Sequence, residues 1–499
     1  MRRSLLALSA ALALGGCGST VVNPVSGQAE RSAMSLSQEV AAGRQGHQEV
    51  LKEYGALANP ALQAYVSALG KKLAAQSHRP ELDWQFTVLD SPEINAFALP
   101  GGYVYVTRGI LAYLDSEADL AGVMGHEIGH VTARHGAQRA TRQQTAGLGV
   151  LAATVLGAVL EAKGVGGATE MAGQVSQGVA AGLIASYSRD QELQADQLGA
   201  EYLARNRYSP QHMVDVIQVL KDQERFAADQ ARAQGRPQPE GRGWLASHPS
   251  NDERLQRIRD EALQYPIHGS EDAGRERYLQ AIQGLEFGDS PAQGLVRGQV
   301  FVHPGLDLAL TAPAGWSLHN SAEQLTLVNA SRDAALTLQA VPARAGTRHE
   351  DILSRWVGAD QGRSDARRIN GLAATHFIGT RRNAQGQRSA IELTLVSTSQ
   401  GAVYALIVAG QPQALQHARS ELQQATDSFR PLNAQDRQLA KPWRLALRPL
   451  PPRGFAELAK GSVLSEAQLR LLNGQYSQPG GEGQALRPGT RVKTVVAAP

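Results

Sequence analysis

Two histidines four apart with a glutamate directly after the first, His126-Glu127-Ile128-Gly129-His130, are the residues whose type and spacing most directly imply chemistry. On an α-helix, at about 100° per residue, positions four apart differ by roughly 40°, so both imidazoles project from one face and can grip one metal ion. Glu127 lies about 60° from His130 on the same helix, near the metal without being its ligand, where a base for water must stand. The chemistry is zinc-assisted hydrolysis: the metal polarises water and carbonyl while Glu127 takes the water proton and passes it to the leaving amine. A catalytic zinc needs a third protein ligand and an open position. Tyr187-Ser188-Arg189-Asp190-Gln191-Glu192-Leu193-Gln194-Ala195-Asp196 offers one. Glu192 and Asp196 are four apart, so one can bind the metal while the other orients a ligand histidine. Acidic residues at this spacing also suit a solvated helix face.

These groups need rigid elements to hold them. Ser116 with Asp119 three residues on forms a capping-box-like start, and Gly136 after Arg134 and His135 a stop, so the motif is expected on a helix between them. Upstream, residues 36–78 carry helical spacing, with Leu62, Val66, Leu69 and Leu73 on one stripe. Strands are expected at Phe86–Leu89, Asn95–Leu99 and Tyr103–Val106, separated by turns at Asp90-Ser91-Pro92 and Pro100-Gly101-Gly102. Asn95, Ala96 and Phe97 would then lie on an edge strand along which an extended substrate can pair through its backbone. Residues 144–186 are rich in Ala and Gly, and their apolar part, 146–160, is too short for a confident membrane span. Helices over the reacting centre are expected there, and a polar loop at 227–243.

Together, Asn95-Ala96-Phe97-Ala98-Leu99-Pro100-Gly101-Gly102, His126 to His130, and Arg189-Asp190-Gln191-Glu192 through Ala195-Asp196 resemble the gluzincin metalloendopeptidases that include HtpX, BepA and the CAAX prenyl proteases. The resemblance spans residues 36 to about 262. It implies one Zn2+ held by His126, His130 and Glu192, with Asp196 as the partner of a ligand histidine and Glu127 as the base. In some members a loop histidine fills the open position and holds the enzyme latent. Ser247-His248-Pro249 looks like that loop, although His248 would also suit an ordinary surface loop before a helix. His135 reads as structural. His248, Tyr187 and Arg189 are all candidates for stabilising an oxyanion.

The rest of the chain sets the context. A length of 499 residues favours two to four domains, and 42% hydrophobic with 19% charged residues is the composition of a folded protein. Arg2 and Arg3, an apolar run from Leu5 to Leu14, and Cys17 resemble a bacterial lipoprotein signal over residues 1–16. That implies lipidation of Cys17, a tether over 17–35, and a place on the periplasmic side of the outer membrane. Cleavage would leave a side-chain balance of +3 − 2 = +1, which gives no footprint for nucleic acid.

The overall expectation is an α+β protein. A mainly helical zincin-type domain with a small sheet (36–288) precedes an accessory domain of antiparallel strands and helices (295–433). The accessory strands are read at Leu306-Leu308-Leu310, Leu325-Leu327, Leu336-Leu338, Ile391–Thr398 and Ala402–Ala409, with a helical stretch at Ala414–Phe429. Residues 453–499 resemble a LysM module, a family that binds the glycan of peptidoglycan; no 34-residue repeat follows residue 262. The expected function is hydrolysis of misfolded or stalled envelope proteins. The rivals are a peptidoglycan-associated chaperone or scaffold and a cell-wall peptide hydrolase.

Overall fold

The structure, a computed structural model, describes residues 19–32, 34–139, 187–233, 248, 252–265, 274–321, 323–382, 388–477 and 486–498. Residues 1–16, expected to be a signal sequence, Cys17 and the Ala/Gly-rich stretch at 144–186 lie outside the described residues. The described chain divides into two compact units, 1–285 with 445–495 and 286–444 with 496–499. The fold is mixed α+β, with a helical region and separate β-sheets. Among the described residues no helix is long and apolar enough to cross a membrane.

The first unit opens with a hairpin, β1 (Ser19–Val22) and β2 (Ala29–Ser32), where a featureless tether was expected. Two helices follow, α1 (Leu36–Tyr54), started by a Ser35–Gln38 capping box, and α2 (Pro60–Ala74), which buries the stripe Leu62, Val66, Leu69 and Leu73. A three-stranded sheet comes next: β3 (Gln85–Leu89) runs parallel to β5 (Tyr103–Thr107), and β4 (Ala96–Leu99) pairs antiparallel at the edge in the order β3-β5-β4. Phe97, Leu99 and Tyr105 pack with Val50 of α1 beneath the sheet. α1 can approach the β4–β5 turn because residue 43 is glycine; a Cβ there would stand 1.9 Å from the Pro100 carbonyl oxygen.

A short helix, α3 (Arg108–Tyr113), leads into α4 (Glu117–Thr132), all of whose residues are buried. Ser116 Oγ accepts from Asp119 N–H while the Asp119 carboxylate accepts from Ser116 N–H, the reciprocal cap expected from the sequence. The other end differs from the expectation. α4 stops at Thr132, and the chain turns at Arg134, whose φ of 59° lies in the left-handed region. Ion pairs to the buried Glu39 from Arg134 and Arg79 hold that non-glycine residue in place.

α5 (Arg189–Arg205) lies against α4, and α6 (Gln211–Ala233), α7 (Asp252–Ala262) and α8 (Arg275–Ile282) complete the layer. α6 runs to Ala233, through the start of the stretch expected to be loop; its apolar face buries Met213, Val214, Val216, Ile217 and Leu220. Residues 445–495 belong to this unit too, with helix α10 (Glu466–Leu472) against α6, and Arg491 to Val495 of the last strand reaching the start of α4. Lys493, fully buried, donates from Nζ to the Leu114 carbonyl at 2.6 Å, and Arg275 joins Asp115 to the Arg491 carbonyl.

In the second unit β10 (Ser317–Asn320), β11 (Gln324–Val328), β12 (Ala334–Ala340), β16 (Val403–Gly410), β15 (Arg388–Ser397), β14 (Leu372–Arg382) and β13 (Ala359–Ile369) form, in that spatial order, a seven-stranded antiparallel sheet. Helix α9 (Arg419–Asp427) covers one face, where Leu422, Ala425 and Phe429 meet Leu336, Tyr404 and Leu406. On the opposite face Ile352 and Leu353 pack on Leu393, Leu395 and Ala405. Smaller strands β6 (Glu286–Phe287), β7 (Leu295–Arg297), β8 (Val300–His303) and β9 (Leu308–Thr311) precede the sheet. β17 (Trp443–Pro449) and β18 (Arg491–Ala497) follow it.

Candidate metal centre

α4 and α5 cross where small residues let their backbones approach. Gly129, between the two motif histidines, faces Ala195, which lies between Glu192 and Asp196; a Cβ on Gly129 would be 2.9 Å from the Ala195 carbonyl oxygen. That contact brings the histidines of one helix against the acids of the other. His126 Nε2 is 3.0 Å from His130 Nε2 and 3.5 Å from Glu192 Oε2, and His130 Nε2 is 3.4 Å from Glu192 Oε1. His248 completes the group, its Nδ1 standing 3.2 Å from His126 Nε2 and 2.9 Å from Glu192 Oε1. The ligand atoms of all four residues lie within 4.8 Å of one another, and all four residues are buried.

This donor set fits zinc. Bonds of about 2.0–2.1 Å in a tetrahedron place neighbouring donors about 3.3 Å apart. The five separations above run from 2.9 to 3.5 Å around that value. Charge agrees as well. Glu127, Glu192 and Asp196 against Arg254 leave −3 + 1 = −2 in a buried site, which a divalent cation cancels. Burial pulls the His126 pKa down, but the carboxylates of Asp196 and Glu192 outweigh it and push it up to about 9, so the site favours added positive charge. Burial likewise works to raise the Glu192 carboxyl, and His248, Arg254 and the two motif histidines hold it well below the usual carboxylate range. His130 is held well below its ordinary value, by burial first and by the neighbouring histidines.

Each expected site residue other than Cys17, which lies outside the described residues, has a defined place. Asp196 Oδ1 is 2.8 Å from His126 Nδ1, the ring nitrogen turned away from the cluster. Glu127 is fully buried, with Oε1 3.5 Å from His248 Nε2. Tyr187 lies flat on the His130 ring, centroids 3.8 Å apart and planes at 20°, and the Arg139 guanidinium carbon is 4.5 Å from the centre of the Tyr187 ring. Arg189, exposed at the first turn of α5, stays outside the cluster. Asn95 precedes β4, and Ala96 and Phe97 are its first two residues, all three buried.

One residue escaped the reading of the sequence. Arg254 of α7 grips Asp196 through Nε at 2.6 Å and Nη2 at 2.8 Å, and reaches Glu192 Oε2 from Nη1 at 2.9 Å. Two buried carboxylates side by side need a counter-ion, and that need was the available signal for a nearby arginine. His135, read as structural, places Nδ1 2.9 Å from His130 Nδ1. A second cluster, Asp119 with His212 and Asp215, is a hydrogen-bonded cap: His212 Nδ1 donates to Asp119 Oδ1 at 2.7 Å while Asp119 Oδ2 serves the start of α4.

The four buried donors with Glu127 beside them form a group that could hold a zinc ion next to a carboxylate. Comparison with known proteins agrees: residues 60–262 match Peptidase family M48. The β-barrel assembly-enhancing protease of Yersinia pestis is 31% identical over 262 residues, 52% of this chain and 50% of that protein. Its namesake in Escherichia coli K12 is 30% identical over 48% of this chain and 47% of its own length. The mitochondrial metalloendopeptidase OMA1 of Schizosaccharomyces pombe is 29% identical over 48% of this chain and 65% of that one. The chain thus spans about half the length of the first two. Among solved structures, cyanobacterial PsbP from Synechocystis covers 27% of this chain at a TM-score of 0.21 and 12% identity, a likeness that carries no argument here.

Proposed function

We propose that this protein is a zinc-dependent endopeptidase that hydrolyses misfolded or stalled proteins of the cell envelope. The observation that carries the reading is the buried group His126, His130, Glu192 and His248 with Glu127 beside it. A purely structural zinc site has no use for a base. Bound zinc supplies Lewis-acid polarisation of the scissile carbonyl and acidifies water. Glu127 accepts the proton of the attacking water and delivers it to the amine as the carbon–nitrogen bond breaks. His126, His130 and Glu192 hold the metal, Asp196 fixes the His126 ring, and Arg254 keeps both acids ionised. β4, at the edge of its sheet, is the strand beside which an extended substrate pairs, with Asn95, Ala96 and Phe97 leading the register.

His248 makes the resting enzyme latent in this reading, because its Nδ1 stands at the fourth corner that the attacking water needs. Support for envelope proteins as substrates comes from the relatives, which are β-barrel assembly-enhancing proteases. Cys17 as a lipid anchor would place the enzyme on the periplasmic face of the outer membrane. We assign the catalytic domain to 36–288 and the accessory domain to 295–433.

The test is zinc content together with casein cleavage for the parent, Glu127→Gln and His248→Ala. Cleavage lost with zinc retained in Glu127→Gln, and raised in His248→Ala, is the expected result. Bound zinc with no cleavage by either the parent or His248→Ala refutes the protease and favours a scaffold. A second reading, a cell-wall peptide hydrolase, is favoured by the LysM likeness of residues 453–499, which together with the preceding β17 run in strand–helix–helix–strand order. Release of soluble peptide from purified peptidoglycan, but not from casein, would decide for it.

A further inference from the structure

The two motif histidines are oriented by different chemistry. His126 turns Nδ1 to a carboxylate, that of Asp196. His130 turns Nδ1 to a second imidazole, His135, at 2.9 Å. Two neutral imidazoles can share one hydrogen bond in only one sense at a time, so the tautomers follow from what lies on either side. A histidine that offers Nε2 to a metal carries its proton on Nδ1. His130 therefore donates to His135 Nδ1, which must be the acceptor. His135 then carries its own proton on Nε2, which stands 3.1 Å from Gln194 Oε1. The same oxygen accepts from Asn23 Nδ2 at 3.0 Å.

Asn23 cannot reverse its amide without loss, because its Oδ1 already accepts from the backbone N–H of Val25 at 2.8 Å and of Ser26 at 3.1 Å. Donors and acceptors thus alternate in one direction from the hairpin turn to the metal ligand. The four residues come from four places in the chain: the turn between β1 and β2, α5, the segment after α4, and α4 itself. Asn23 is 3% exposed and His135 fully buried, so water does not compete freely for these bonds.

We propose that His135 is the positioning residue of His130, and that the N-terminal hairpin, through Asn23 and Gln194, is a working part of the metal centre. The hairpin fixes Gln194, Gln194 fixes the His135 tautomer, and His135 presents His130 Nε2 to zinc in the correct ring orientation. The inference rests on the reading of His126, His130 and Glu192 as zinc ligands.

The experiment strips the full chain of metal and titrates zinc against a chromophoric chelator. It compares the parent with His135→Phe, His135→Asn and Asn23→Ala, recording the visible spectrum of each Co2+ form and the metal-free unfolding temperature. His135→Phe is expected to weaken zinc roughly 10- to 100-fold and to alter the Co2+ spectrum, as loss of a ligand's hydrogen-bond partner does. His135→Asn, whose Oδ1 can accept near the former Nδ1 position, is expected to recover most of that loss. Asn23→Ala, remote from the metal, is expected to weaken zinc roughly 2- to 10-fold. Zinc binding by His135→Phe as tight as the parent's, where the parent binds stoichiometrically, overturns the positioning role and leaves the zinc site standing. An unchanged Asn23→Ala overturns the hairpin's share. A parent that takes up no zinc overturns both the site and this inference. Should His135→Phe fail to fold, His135→Asn and Asn23→Ala still decide.

Discussion

Three glycines on the buried motif helix, Gly122, Gly125 and Gly129, allow one chemical change to be made at three places with opposite expected outcomes. Replacing glycine by alanine inside a helix gains about 1 kcal/mol of intrinsic helix stability. What the new methyl meets decides the rest. At Gly122 the nearest atoms are 3.5 Å away, ordinary contact. At Gly125 the nearest is Leu203 Cδ1 at 3.1 Å, the tip of a side chain that can rotate, with the Gly199 backbone at 3.4 Å. At Gly129 the methyl meets backbone, the Ala195 carbonyl oxygen at 2.9 Å and Ala195 Cα at 3.1 Å. To restore normal contact α5 must retreat by about half an ångström, and overpacking of this kind costs about 1–3 kcal/mol. Gly129→Ala is therefore expected to lose about 1 kcal/mol net, whereas Gly122→Ala and Gly125→Ala gain up to about 1 kcal/mol. The retreat also carries Glu192 and Asp196 away from His126 and His130, so Gly129→Ala is expected to bind zinc roughly tenfold less tightly or worse. Urea unfolding of the metal-free proteins and chelator competition for zinc measure the two effects. A Gly129→Ala protein as stable and as tight for zinc as the parent, or a Gly125→Ala protein equally damaged, would refute the packing argument.

Arg254→Met is expected to cost the metal-free protein about 3–5 kcal/mol, because two buried carboxylates lose their shared counter-ion, and saturating zinc should restore part of it. An unchanged metal-free unfolding midpoint would show that Arg254 does not compensate those charges. Lys493 titrates against the fold: burial, opposed by Asp115 and Asp119, pushes its ammonium down to about 8 from the usual 10.5. Between those values the unfolded chain binds more protons, so this lysine's contribution rises with pH over the window and is lost again as pH falls through 8. The parent should gain up to about 3 kcal/mol on Lys493→Met between pH 8 and 10.5 in urea unfolding, the comparison cancelling tyrosine titration; a flat difference would refute the assignment.

The site was legible wherever local rules and spacing coincide. The cap at Ser116 and Asp119 and the pairing of His126 with His130 follow helical geometry, whereas spacing alone left Glu192 and Asp196 equally suited to a solvated face and the family resemblance pointed them to the metal. The contact of His135 with His130 was not visible because helical geometry stops before His135. Arg134 takes a left-handed conformation and folds the chain back, so a residue five past His130 meets its ring. Arg254 was missed because an arginine on a charged helix looks solvated until its tertiary partners are known. In the second unit, β11, β12, β15 and β16 were visible through alternating apolar residues. β13, mostly exposed and reading Ala-Asp-Gln-Gly-Arg-Ser-Asp-Ala-Arg-Arg-Ile, has no such alternation, and the polar charges that hide it from pattern reading are those that protect a sheet edge. The hairpin at 19–32 and the docking of 445–495 in the first unit depend on long-range bonds from Asn23 and Lys493, residue types that ordinarily face water.

The bond from Lys493 to Leu114 joins residues 379 apart, and residues 286–444 of the second unit are made between them. The order of synthesis is therefore imposed on the maturation of the reacting centre. At about 5–20 residues per second, the stretch from the end of the motif helix to Lys493 takes roughly 20–70 s to emerge. For that time the histidines exist in the chain while the element that clamps the start of their helix does not. A nascent molecule passes through this interval without that clamp, and only a chain made through residue 493 has it.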